Sequence, residues 1–315
     1  MTARYLKGRF DSIAEGVGRT PLVRLRNVVA QVPGIEVYAK LECANPGGSV
    51  KDRAALRMMT DALKDGRLNR SKVLIDSTSG NTGVAYSLFG AALGLKIQLV
   101  MPSNVSQARK DIAQAYGTEI IYSDPMEGSD GAIRLVREIV AKEPGRYFYP
   151  DQYSNPGNPL AHFDGTAPEI LAAVGPKLTH FVAGLGTSGT MMGTARRMRQ
   201  DAPHVKCVAI EPDEPMHGLE GLKHMASSLV PAIYDIGLPH EHRGVSTEDG
   251  WDMADRVVAE EGMHVGHSSG ANIFAAARIA DEVAARGERG CIVAIVCDRG
   301  DRYFAPMRWE KKYVW

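Results

Sequence analysis

Short apolar runs alternating with segments of helical period predict an α/β protein of two domains, with mainly parallel sheets flanked by helices. Three observations lead there. The runs are rich in β-branched residues and mostly apolar throughout, as strands covered on both faces must be. Helical stretches separate them over most of the chain, which is the arrangement of right-handed crossovers in a parallel sheet. The length of 315 residues exceeds what one hydrophobic core usually supports.

In chain order, strands are expected at 36–41, 73–75, 97–101, 119–122, 181–185, 205–210 and 292–296. A helix is expected from about Val50 through Ala55, Met59 and Leu63 to Gly66, and another over 84–93. Ala132, Ile133, Val136, Ile139 and Val140 recur at helical spacing, with Ser129 as the opening residue and Pro144 and Gly145 as the stop. Two further helices should contain Met191 to Met198 and Ala271 to Ile279. The turn-rich YSNPGNP (153–159) is expected at the passage between the domains, 45–152 forming the smaller unit and 1–44 with 153–315 the larger. The stretch 213–245, rich in Pro, Gly and His, reads as an irregular functional loop.

Composition bounds function without naming it. Apolar residues at 44% and charged residues at 23% are the usage of a globular protein. Lysine plus arginine balance aspartate plus glutamate at 37 each, so no global field draws the chain to nucleic acid or to an anionic membrane. Arg4, Lys7 and Arg9 have no apolar run behind them, and no stretch of about 18 apolar residues offers a bilayer span, so a cytoplasmic protein is expected. Cys43, Cys207, Cys291 and Cys297 lack any metal-ligand spacing; they read as thiols, with no metal site.

Four motifs could carry chemistry. NPGGSVKDR (45–53) runs a Pro-Gly-Gly turn into a helix with Lys51 in its first turn. The positive end of the helix dipole disfavours an ammonium there, and an amine that forms a Schiff base must be neutral. TSGNTG (78–83) is a strand-to-helix turn whose N–H groups suit an anion such as a carboxylate. GTSGT (186–190) offers small residues that let the backbone wrap a phosphate, with hydroxyls as extra donors. It is neither a Walker sequence nor a dinucleotide fingerprint. GHSSG (266–270) has the spacing of a serine-hydrolase elbow at Ser268, but no histidine follows it to complete a triad. The first three motifs also have plainer readings: a solvated lysine, a helix N-cap by Ser79, Asn81 or Thr82, a glycine-rich turn that holds nothing.

Taken together and in this order, the motifs resemble the cysteine synthase (O-acetylserine sulfhydrylase) branch of the fold type II, tryptophan-synthase-β-like pyridoxal-phosphate enzymes, over nearly the whole chain. GRTPLVRL (18–25) is similar to the family's G-N-T-P-L-V segment, with Arg19 where asparagine is usual, and CDRGDRY (297–303) resembles the ending of the B-type synthases. The resemblance implies pyridoxal 5'-phosphate as cofactor, with Lys51 as its Schiff-base residue. It places Asn81 on the ring hydroxyl, Gly186, Thr187, Ser188, Gly189 and Thr190 around the phosphate, and Ser268 at the pyridine nitrogen. It gives Thr78, Ser79, Thr82 and Gln152 to the substrate carboxylate, in a smaller domain that moves against the larger, phosphate-binding one.

The implied reaction is β-replacement on an activated L-serine, O-acetyl-L-serine foremost, by sulfide or a related sulfur donor to give L-cysteine. The implied assembly is a homodimer whose partners are small molecules. Lys223, in HGLEGLKHM (217–225), stands where some B-type members carry an arginine for the phosphate of phosphoserine, so an O-phosphoserine sulfhydrylase is the first alternative. A short cystathionine β-synthase-type enzyme and a serine dehydratase-type enzyme are the others, although dehydratases usually continue the asparagine loop with histidine where Thr82 stands. Trp309, Tyr313 and Trp315 cluster in a tail expected to cover a partner subunit or the mouth of the site.

Overall fold

The computed structural model describes residues 10–303, apart from Ser79 and Ser106 and from the side chains of Ala108 and Ser129. The aromatic tail at 307–315 and the substrate expectation at Ser79 therefore lie outside the described residues.

The chain opens with β1 (Leu22–Arg24) and β2 (Ile35–Leu41), then leaves to build a second sheet from β3 (Val73–Ser77), β4 (Lys96–Pro102), β5 (Glu119–Ser123) and β6 (Tyr147–Phe148). It returns with β7 (His180–Gly184), β8 (Lys206–Pro212), β9 (Glu241–Val245) and β10 (Gly290–Val296). The larger sheet runs β1-β2-β10-β7-β8-β9 and the smaller β5-β4-β3-β6. Among the described residues, the strand pairings are parallel except that of β1 with β2. The helices are α1 (Lys51–Lys64), α2 (Asn81–Leu93), α3 (Gln107–Ala115), α4 (Gly128–Lys142), α5 (Gly157–Ala161), α6 (Ala167–Val174), α7 (Gly189–Asp201), α8 (Thr247–Glu261) and α9 (His267–Ala285).

The absence of alternation in the strands has a direct cause. In β10, Ile292, Ala294 and Val296 face the core built with α8 and α9, while Cys291, Val293 and Ile295 face the one built with α6 and α7. The smaller sheet repeats the arrangement, Leu74 and Leu99 packing with α1 and α2, Ile75 and Val100 with α4. No helix among the described residues is long and apolar enough to cross a membrane.

Several local expectations shift. α4 starts at Gly128 with Glu127 at the N-cap position, so Ser129 lies inside the first turn and does not open the helix. α2 has Gly80 at its N-cap, which leaves Asn81 and Thr82 free for other partners. α9 begins at His267, four residues before the apolar run that signalled it, because the polar motif GHSSG forms its first turn. The stretch 213–245 ends in a strand, β9, an exposed edge whose polar sequence EHRGV carries no apolar run to betray it. β1 and β6, three and two residues long, were equally invisible. Arg19 holds the left-handed backbone at φ +51°, a conformation that asparagine adopts more readily than arginine.

Candidate active site

The turn before Lys51 is stitched to the end of β10. Val50 N–H donates to the Cys297 carbonyl at 2.8 Å, and Ser49 pairs with Asp298 in an isolated antiparallel bridge. Gly47 N–H donates to the buried Asp52 carboxylate, which burial pushes up to about 7 although that donor pulls it down. Lys51 is thus the first residue of α1, held beside the C-terminal end of the larger sheet. Two residues on, Arg53 ties the helix to the rest of the fold: its guanidinium pairs with Glu42 at 2.6 Å and Glu169 at 2.8 Å, and Lys40 joins Glu169 at 2.7 Å.

A cavity of about 700 Å³ opens at this point, with walls from both sheets' elements, among them Lys51, Thr78, Asn81, Thr82, Gln152 and Lys223. A smaller space of about 30 Å³ adjoins it, shares Lys51, Asn81, Gly186 and Thr187, and adds Ser188, Thr190 and Ser268. Every sequence-expected site residue with described structure lines one or both, except Gly189, which starts α7 against Asn158.

The glycine-rich turn after β7 suits a phosphate on its own geometry. Ser188 takes the left-handed conformation at φ +67° at the N-cap of α7, and its buried hydroxyl has no hydrogen-bond partner among the described residues. A Cβ on Gly189 would meet Asn158 Oδ1 at 1.9 Å, and one on Gly186 would meet the Gly221 carbonyl at 2.1 Å, so only glycine fits either position. An unpartnered hydroxyl, a helix N-terminus of 13 residues and walls without side chains are what an anion of phosphate size requires. Ser268, in the first turn of α9, follows a single-residue bridge at Val265 and no strand, which removes the hydrolase elbow. Its neutral hydroxyl contacts the Cys297 thiol, which burial pushes up to about 11.

On the opposite wall, Thr82 donates to Gln152 Oε1 at 2.8 Å. The Gln152 carbonyl accepts from Asn158 Nδ2 at 2.8 Å, and the same Nδ2 donates to Thr187 Oγ1 at 3.0 Å. One hydrogen-bonded path therefore joins the TSGNTG turn to the GTSGT turn. Lys223 Nζ lies 5.3 Å from the Tyr153 ring centroid and forms no ion pair among the described residues; burial lowers its pKa and Asp130 partly restores it.

Sequence reasoning assigned no role to Asn158, Asp298, Arg302 or the Arg109–Glu220 ion pair that spans the cavity wall. Asp298 accepts from Asn81 Nδ2 at 2.6 Å and from the Tyr303 hydroxyl, while Arg302 donates to Asn81 Oδ1 and to the Gly47 carbonyl. Burial raises the Asp298 carboxyl against the pull of those hydroxyl and amide donors. The available signal was CDRGDRY itself, a charged run directly after the most apolar strand.

The sequence profile described as "Pyridoxal-phosphate dependent enzyme" matches residues 13–298. The chain is 46% identical to cysteine synthase of Aquifex aeolicus over 98% of its own length and 94% of the relative's. It is 38% identical to cysteine synthase B of Escherichia coli, over 94% and 95% respectively. The crystal structure of cysteine synthase from Entamoeba histolytica superposes with a TM-score of 0.90 at 35% identity, covering 96% of this chain and 91% of that one.

Proposed function

The chain belongs to the pyridoxal-phosphate dependent enzymes, and from that premise we propose that it is a cysteine synthase, which replaces the β-substituent of an activated L-serine by a sulfur nucleophile. O-acetyl-L-serine is the proposed substrate, sulfide the proposed donor, and L-cysteine and acetate the products. The observation that carries the reading is the position of Lys51 in the wall shared by both cavities, between the TSGNTG turn and the GTSGT turn.

When bound, pyridoxal phosphate supplies the electron sink that makes loss of the α-proton and of the β-substituent accessible. Gly186, Thr187, Ser188, Gly189 and Thr190 would hold its phosphate, Asn81 its ring hydroxyl, and the Ser268 hydroxyl its ring nitrogen, a neutral partner that suits elimination over transamination. Lys51 Nζ would anchor it covalently and, as a free amine, would take the α-proton of the amino acid as a general base. Thr78, Ser79, Thr82 and Gln152 bind the α-carboxylate, and Lys223 faces the β-substituent. The unit 45–152 is proposed to close on the larger one when the carboxylate docks, excluding water from the reacting carbon.

The proposal includes a homodimer in the cytoplasm; analytical ultracentrifugation checks the assembly. Steady-state assays of O-acetylserine and O-phosphoserine with sulfide test the activity. Cysteine formed faster from the acetyl ester supports the proposal, faster turnover of the phosphate ester moves the substrate to phosphoserine, and no cysteine from either removes the assignment.

A further inference from the structure

The carboxamide of Asn81 has both ends engaged by the same short segment. Its Nδ2 donates to Asp298 Oδ2 at 2.6 Å and its Oδ1 accepts from Arg302 Nη1. A carboxylate only accepts and a guanidinium only donates, so these two partners leave a single permitted orientation of the amide. The flipped amide would set a carbonyl against a carboxylate and an NH2 group against a cation, losing both charge-assisted bonds.

Both partners are themselves fixed. Asp298 is 1% exposed, takes a second bond from the Tyr303 hydroxyl, and has its carbonyl bound by Gly266 N–H at 3.2 Å. Gly266 must be glycine, since a Cβ there would meet Asp298 Oδ1 at 2.2 Å. Arg302 uses its other arm on the Gly47 carbonyl, in the turn that leads into Lys51. The segment thus braces the start of α1 and the start of α2 together, 217 residues of chain away from Asn81.

We propose that Asp298 and Arg302 are positioning residues that lock the Asn81 amide with its second N–H presented to the cavity, ready for the cofactor's ring hydroxyl. The inference rests on the assignment of Asn81 made above, and it explains why a charged run directly follows β10.

The test compares N81A, D298A, R302M and the double variant N81A/D298A, each titrated with pyridoxal phosphate. The readouts are the dissociation constant, the ratio of the bound cofactor's absorption bands at saturation, and the thermal midpoint of the cofactor-free protein. N81A and D298A should each weaken binding about ten-fold, the loss expected for one charge-assisted hydrogen bond, and should change the band ratio in the same direction. R302M should follow them. The double variant should be no worse than N81A alone, because both changes remove one contact. D298A that lowers only the thermal midpoint, with wild-type affinity and bands, or losses that add in the double variant, would overturn the inference. N81A with unchanged binding and bands would overturn instead the assignment of Asn81 on which it rests. Should D298A not fold, D298N keeps the volume but can present either end to Asn81, and it is judged by the same two cofactor readouts.

Discussion

The Thr82 hydroxyl donates to Gln152 Oε1 across 2.8 Å, joining the first turn of α2 to the segment that leaves β6. Both side chains are buried, Thr82 at 4% and Gln152 at 4% exposure, so neither can exchange this partner for water without opening the cavity wall. The bond ties the proposed carboxylate turn to Asn158 and, through it, to the proposed phosphate turn.

Thr82→Val keeps the branched shape and removes the hydroxyl, leaving Gln152 Oε1 buried without its donor. A hydrogen bond to a charged group contributes about 1.5–3 kcal/mol, so removing the hydroxyl from the proposed carboxylate turn should raise the KM for the amino-acid substrate about ten-fold or more, while cofactor affinity changes less. Steady-state kinetics beside a cofactor titration separates the two; an unchanged KM would detach Thr82 from the substrate.

Lys51→Ala should give a folded protein, since one half-buried lysine at a helix start carries little of the core. Turnover should fall by several orders of magnitude and the covalent attachment of the cofactor should vanish, as borohydride reduction followed by mass spectrometry would reveal. Near-normal cysteine formation by the variant would show that Lys51 is not the anchoring amine.

Gly189→Ala places a methyl where Asn158 Oδ1 sits, 1.9 Å away, so Asn158 must move and release Thr187. The expected outcome is a weaker hold on pyridoxal phosphate with the far-ultraviolet circular dichroism of the wild type. Retention of cofactor through prolonged dialysis, equal to wild type, would place the phosphate elsewhere.

Arg53→Met leaves Glu42, at 0% exposure, without its cation, while Glu169 keeps Lys40. Breaking a buried ion pair from one side typically costs about 3–5 kcal/mol, and chemical denaturation should register a loss of that order. Burial pushes the Glu169 carboxyl up, but the hydrogen bonds and charges of Arg53 and Lys40 overcome it and hold the group at about 2, below its ordinary 4.5. Ionised Glu169 therefore adds stability above about pH 4.5, and that contribution is lost as pH falls towards 2. The wild type should lose stability across this window, and the variant should lose less of it; parallel slopes would mean that Arg53 does not set the Glu169 proton affinity.

Lys223→Ala should raise KM for phosphoserine far more than for acetylserine, because only the phosphate ester carries a dianion for the ammonium to meet. Lysine offers a point charge without the bidentate fork of arginine, so the preference for the phosphate ester should be weaker than an arginine at this position would give. Equal effects on both esters would take Lys223 out of the substrate site.

The alternation of strands and helices, the parallel sheets and the glycine-rich turns at strand ends were legible in the residues, because buried parallel strands need continuous apolar runs and tight turns need small residues. The ends of elements were less legible: α9 starts on the polar GHSSG and β9 on the exposed EHRGV, where no apolar signal exists. Lys51, Asn81 and Ser268 could be picked out as candidates, but their convergence on adjoining cavities depended on long-range pairing, such as Val50 with Cys297 and Asn81 with Asp298. Local sequence has no reach over such separations. The order of strands in the sheet and the packing of the helices decide which distant polar side chain becomes the partner of a buried amide, and that is why Asp298, Arg302 and Asn158 emerged only from the tertiary structure.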